Sequence, residues 1–379
     1  MAATPSNFKK GIEVAVVEKG RKITCLMSDA FWCFAGDMAE EMGVPWLAFY
    51  NAEACALATY VYTDLICSTT GVGPNAITGR EHETLGFIPG MSSVRIRDVM
   101  IDGIIIENLG STFISMVHRM AQMLPRATAV LINTYEELNP TIIKELKSNF
   151  QKCLSLAPFT LDYPPPSDSD TTGCLTWLDK QKPSSVGYIS FGTVGTLPAY
   201  ELEALAEGLE GSGTPFLWSL KDKLKEQLPV SFLNRTREWG LIVPWAPQFR
   251  VLQHTAVGVF MTHCGWNSVL ESILGGVPVI GRPIFGDQPL NLRFISDVWG
   301  GFGIRIDNGV FTKDGVIKGL ELILFNEEGK KMMEKVQAFR KLAEKAIESD
   351  GSSTMSFKAL TLQIVSSTKP PSYMDDDHL

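Results

Sequence analysis

Apolar and polar positions follow two rhythms along this chain. From about Val186 onward, short apolar runs read "VGYISFGTV", "PFLWSLK", "LIVPWAPQ", "VGVFMTHC", "VPVIGRPIF" and "FGIRI". Longer stretches with helical spacing separate them, such as "PAYELEALAEGLEGSG" and "SVLESILGG". These end in glycine, which takes the left-handed conformation of a helix C-terminus at little cost. Strands that are apolar throughout belong to sheets covered on both faces, and strands joined by helices run parallel. The pattern predicts a complete doubly wound α/β domain.

Before Phe150 the same alternation has fewer units. "ITCLMSDAFW", "PWLAFYN" and "ATAVLINTYEEL" read as strands, with helices such as "FAGDMAEEMG" and "STFISMVHRMAQMLP" between them. A thin, three-stranded parallel sheet is expected. Between the halves, "LAPFTLDYPPPSDSDTTG" is rich in Pro, Ser and Asp and reads as an exposed linker, with Asp168 and Asp170 as solvated charges. The boundaries expected are a first domain over 1–155, a linker over 156–173 and a second domain over 174–350. A C-terminal helix over 351–366 is expected to pack back on the first domain, followed by a frayed tail over 367–379.

Length agrees, since 379 residues exceed what one core usually organises. At 45% hydrophobic and 20% charged residues the composition is that of a globular protein. A net charge of −8 argues against a broad polyanion-binding surface and nucleic-acid partners, yet leaves room for one anionic ligand held by backbone dipoles. Seven cysteines without a CxxC pair suit reduced thiols. The opening "MAATPSNFKKGIEV" lacks the apolar segment of a signal peptide, and no run reaches membrane-spanning length. A cytoplasmic monomer is the expectation.

Candidate chemistry collects at strand ends, where open parallel sheets bind ligands. "VGVFMT" is followed by His263, Trp266, Asn267, Ser268 and Glu271; "LIVP" by Trp245 and Gln248; "VPVIGRPIF" by Asp287 and Gln288; "VGYISF" by Thr193. Unpaired N–H groups at the helix start near Gly265 to Ser268 suit a diphosphate without recourse to lysine. Trp245, stiffened by Pro244 and Pro247, offers a flat face to a base, and Glu271 can accept from ribose hydroxyls. Plainer readings stand beside these. Ser268 to Glu271 spells a capping box, Asp287 could simply begin a helix with Pro289 in its first turn, and a lone tryptophan or histidine is usually packing. No GxGxxG, GxxxxGK[ST] or HExxH occurs, "GYISFG" misses the GxSxG elbow, and the five histidines are scattered. A catalytic metal is therefore not expected.

The 44-residue segment from Trp245 to Gln288, "WAPQFRVLQHTAVGVFMTHCGWNSVLESILGGVPVIGRPIFGDQ", resembles the signature box of plant UDP-dependent glycosyltransferases. The resemblance extends through "CLTWLDKQKPSSVGYISFGT" to "GSSTMSFKALTLQIV". "FIPGMSSVRIRDV" and "MLPRATAVLINTYEELNP" are most similar to the flavonoid and anthocyanidin 3-O-glucosyltransferase branch. It implies a GT-B fold of two Rossmann-like domains, the first incomplete here, with UDP-glucose as co-substrate, no cofactor and a phenolic acceptor. In that scheme Trp245 stacks on uracil, Gln248 lies beside the nucleoside and Glu271 takes the ribose hydroxyls. His263, Asn267 and Ser268 hold the diphosphate with Thr193, while Asp287 and Gln288 bind the sugar with Trp266 nearby. A terminal glutamine in the box tends to accompany glucose.

The family reaction is an inverting displacement in which a histidine takes the acceptor's proton and an aspartate orients that histidine. Asp29 matches the aspartate. No histidine precedes His82, so the base has no match, and the chain reads as N-terminally truncated, with impaired activity and an aggregation-prone sheet edge. Phe31, Tyr60, Phe113 and Phe285 are aromatic candidates for the acceptor, with core packing as the alternative. Tyr50 stands where many relatives carry tryptophan, and Asn51 beside it is a candidate for a sugar hydroxyl. A UDP-sugar binder without catalysis, or an enzyme for another phenolic or a hormone, are the alternatives.

Overall fold

The computed structural model describes residues 5–73, 75–99, 105, 112–162, 170–306 and 309–368. Asp168, part of the Pro-rich stretch, and the tail from 369 lie outside them. The described residues fall into two compact units. The first draws on Met1–Ser92, Ile101–Asp162 and Lys345–Leu379, the second on Ser93–Met100 and Tyr163–Glu344.

In the first unit β1 (Leu26–Asp29), β2 (Trp46–Tyr50), β3 (Ala129–Ile132) and β4 (Cys153–Ser155) form a parallel sheet in that order. The expected three strands are therefore four. β4 is only three residues long, too short to show a period, and it is placed by pairing with β3 and by tertiary cover. That cover comes from the helix Ser352–Thr368, whose Leu360 and Ile364 pack with Leu47, Ala129, Leu131 and Leu156. Residues 156–162, expected as exposed linker, belong to this unit instead. Leu156 and Ala157 are buried, and Phe159 meets Phe49 edge-on at 5.9 Å. Asp170 has a structural use besides: its carboxylate accepts from the backbone of Leu175 and Thr176 at the start of helix Cys174–Leu178.

The second unit contains all six expected strands: β5 (Val186–Ser190), β6 (Phe216–Ser219), β7 (Gly240–Val243), β8 (Val257–Thr262), β9 (Val279–Gly281) and β10 (Gly303–Arg305). They pair in parallel in the order β7-β6-β5-β8-β9-β10. The chain direction across the sheet thus reverses between β5 and β8, which opens a crevice beyond their carboxyl ends. Successive residues serve opposite faces: Ile189, Trp218, Val259 and Met261 join one cluster, and Tyr188, Leu217 and Phe260 the other. Burial on both faces explains why these strands read as continuous apolar runs.

Candidate functional site

At the β5/β8 crevice lies a cavity of about 360 Å³. Of the residues singled out by sequence, Thr193, Trp245, Gln248, His263, Ser268, Glu271 and Phe285 line it. Gln248, opening the helix Gln248–Leu252, ties its walls together. Its Nε2 donates to Ser268 Oγ at 3.0 Å and to Glu271 Oε2 at 2.6 Å, while its Oε1 accepts from Tyr188 OH at 3.2 Å. The capping box is consequently not formed: Gly265 is the N-cap of helix Trp266–Gly275 and no side chain caps it. The helix therefore begins without a side-chain cap, its N-terminal dipole end following directly on the His263 turn. Burial raises the Glu271 carboxyl above its ordinary range, partly offset by the Gln248 amide. Trp245 is 46% exposed, a high value for so large a ring.

The turn after β8 is built around one imidazole. Cys264 takes a left-handed φ of 62°, uncommon for a residue with a Cβ and of a kind that gathers at functional turns. His263 Nδ1 lies 3.3 Å from Thr262 Oγ1, and its Nε2 has no protein partner among the described residues. Two glycines make room for it. A Cβ on Gly192 would stand 2.9 Å from Cε1, and one on Gly265 would stand 2.5 Å from Nε2. Burial pushes the imidazole down to about 4, so it is neutral at neutral pH and can offer a hydrogen bond without fixed charge.

Tyr188 and Lys221 are among the lining residues that escaped sequence reasoning. Tyr188 is a buried β5 aromatic whose hydroxyl reaches the cavity wall. Lys221, just after β6, also lines the cavity, and its Nζ donates to Thr193 O at 2.6 Å. An ammonium thus stands on the cavity wall and pins the Thr193 loop. "WSLKDK" carries no signal that distinguishes Lys221 from a solvated lysine.

Asp287, Gln288, Trp266 and Asn267 do not line this cavity. Trp266 is 4% exposed and packs against Trp299, ring centres 6.4 Å apart, while Asn267 is exposed. Gln288 Oε1 accepts from Ile284 N and Phe285 N at 2.7 and 3.0 Å, which closes the loop and turns the amide NH₂ away from those donors. Asp287 is the N-cap of helix Gln288–Arg293, as the plainer reading had it, but its carboxylate caps no backbone N–H and instead accepts from Asn291. Burial raises its carboxyl, with the Asn291 amide opposing. Behind this loop Arg282 forms a bidentate pair with fully buried Glu201, which also accepts from Phe311 N.

In the first unit Asp29 ends β1 and accepts from Phe31 N at 2.9 Å; burial raises its carboxyl, partly offset by that N–H. No histidine bonds to it among the described residues. Phe31 packs near Tyr50 and Phe113, at 6.1 and 6.3 Å. Phe113 is exposed, whereas Tyr50 is buried. Tyr60 is 5% exposed within helix Ala54–Val61. Asn51 follows β2 and accepts from Asn133 Nδ2 at 2.8 Å. Phe285 belongs to the second unit's cavity. Among the described residues no group of three or more His, Cys, Asp or Glu is placed to hold a metal ion. Likewise no helix is long and apolar enough to cross a membrane.

Residues 13–341 match the family model described as UDP-glucoronosyl and UDP-glucosyl transferase. An anthocyanidin 3-O-glucosyltransferase of Vitis vinifera is 52% identical over 367 residues, covering 97% of this chain and 79% of that protein. An anthocyanidin 3-O-galactosyltransferase of Rhododendron delavayi is 51% identical, over 93% of this chain and 77% of that one. The crystal structure of a UDP-glucose:anthocyanidin 3-O-glucosyltransferase in complex with UDP matches with a TM-score of 0.89 at 38% identity, over 96% of this chain and 80% of that one. The two parallel-sheet units are those of the GT-B fold.

Proposed function

The chain belongs to the UDP-glucoronosyl and UDP-glucosyl transferase family, and from that premise we propose that its second unit holds UDP-glucose at the β5/β8 crevice for glucosyl transfer to the 3-hydroxyl of a flavonol or anthocyanidin. The observation that carries the donor site is the convergence on one cavity of the His263 imidazole, Ser268 and Glu271 from the first turns of helix Trp266–Gly275, and the exposed Trp245 ring. Trp245 stacks on uracil and Glu271 accepts from the ribose. Ser268, Asn267 and His263 donate to the diphosphate, with Thr193 and Lys221 at its edge. Asp287 and the Gln288 amide take the sugar hydroxyls. The reaction is an inverting displacement without a metal, carried out by a cytoplasmic protein.

On the acceptor side we assign the aromatic group Phe31, Tyr50 and Phe113, with Asp29 as the acid that orients a base and Asn51 as a sugar contact. Asp29 has no histidine partner among the described residues, which supports a second reading: UDP-sugar binding with little turnover by these 379 residues. A general base contributes about 10²–10⁴-fold to rate.

The deciding experiment titrates UDP into the purified chain by calorimetry and assays it with UDP-glucose and quercetin. Micromolar UDP binding with turnover about 10²-fold or more below the Vitis relative is expected. Turnover equal to that relative would refute the missing-base reading, and absence of UDP binding by a folded chain would refute the donor site.

A further inference from the structure

Asn291 lies in the helix Gln288–Arg293, three positions beyond the signature box, and is 1% exposed. Its Nδ2 donates to two oxygens, Cys264 O and Asp287 Oδ2, each at 3.0 Å. Its Oδ1 is buried with no partner among the described residues. The amide cannot be reversed, because its oxygen would then face two acceptors. Native interiors rarely leave such an oxygen unsatisfied, so a helix that needed only packing here would carry an apolar residue. The donor side therefore has a use beyond filling space. Cys264 is the strained residue of the His263 turn, and Asp287 begins the loop-to-helix junction behind β9.

Building on the donor site proposed above, we propose that Asn291 is a positioning residue that locks the Asp287 carboxylate to the Cys264 turn, so that the sugar-binding acid and the diphosphate-binding turn are held at a fixed spacing. Without the link, Asp287 keeps its place in the chain but its carboxylate is free to swing. The diphosphate turn keeps its other supports, among them Gly192 and Gly265 against His263 and the Cys264 N–H bond to Thr262 Oγ1 at 3.4 Å. Loss of Asn291 is therefore felt at the sugar more than at the nucleotide.

The test compares calorimetric affinities for UDP and UDP-glucose in the parent chain, Asn291→Ala, Asp287→Asn and the double variant. Asn291→Leu replaces Asn291→Ala if the alanine variant melts. Expected for Asn291→Ala is a loss of about tenfold for UDP-glucose against about twofold or less for UDP, and little further loss when it is added to Asp287→Asn. Equal losses for both ligands would overturn the proposal, as would an undiminished effect in the Asp287→Asn background. A folded parent chain that binds no UDP would overturn the donor-site reading, and this proposal with it.

Discussion

Single side chains at the crevice act through how little they share with their neighbours. Trp245 keeps nearly half its surface in solvent, so its removal should cost affinity and not fold. Trp245→Ala is expected to weaken UDP binding by about 5- to 150-fold, the equivalent of about 1–3 kcal/mol of base stacking, with an unchanged melting temperature. His263 titrates near 4 when folded against an ordinary 6.5. Between those values the unfolded chain holds a proton the folded chain lacks, so this residue's share of stability is full above pH 6.5 and drains away as pH falls toward 4. A His263→Gln variant should lose less melting temperature than the parent between pH 6.5 and 4.5, as followed by circular dichroism; parallel slopes would exclude the buried neutral imidazole. Trp245, Gln248, His263, Ser268 and Glu271 were legible because they sit just past apolar strand runs. Tyr188, Lys221 and Asn291 were not, because their partners lie 60, 28 and 27 positions away and nothing local marks them.

Elements carry the next layer of control. The loop after β9 is anchored by the Arg282–Glu201 pair, in which a carboxylate with no exposure joins that loop to the helix Ala199–Ser212 and to Phe311. Arg282→Met alone strands a buried charge and should destabilise by about 3–5 kcal/mol, whereas Arg282→Met with Glu201→Leu should recover most of it. Urea melts of the three variants decide this, and additive losses would refute it. Gly192→Ala tests the turn from the other side, since the added methyl and a φ of 73° both oppose the native backbone. About tenfold weaker UDP binding in a folded protein is expected, because the imidazole is displaced. The six strands of the second unit were readable because two-sided burial makes each an uninterrupted apolar run. β4 was not: three residues cannot show a period, and its place depends on a helix some 200 positions later in the chain.

At the scale of the whole molecule, two cores organise the chain, and the first recruits its cover from the C-terminus. Leu360→Asp should therefore lower the first transition in a thermal melt while UDP affinity stays within about twofold of the parent. A matching loss of UDP affinity would mean that the two units do not hold their stability separately. Fold class could be read from rhythm alone, but not every unit boundary, since Ser93–Met100 joins the second unit against the linear order.

The three-way knot at Gln248 has one last bearing, on which donors the protein can tell apart. Both amide hydrogens and one oxygen lone pair are already committed to Ser268, Glu271 and Tyr188, and an indole face is indifferent to ring substituents. On the proposed donor site Gln248 thus has no amide hydrogen left to read a pyrimidine, and a thymidine sugar-nucleotide, one hydroxyl poorer at the pentose, is expected to bind more weakly chiefly through Glu271.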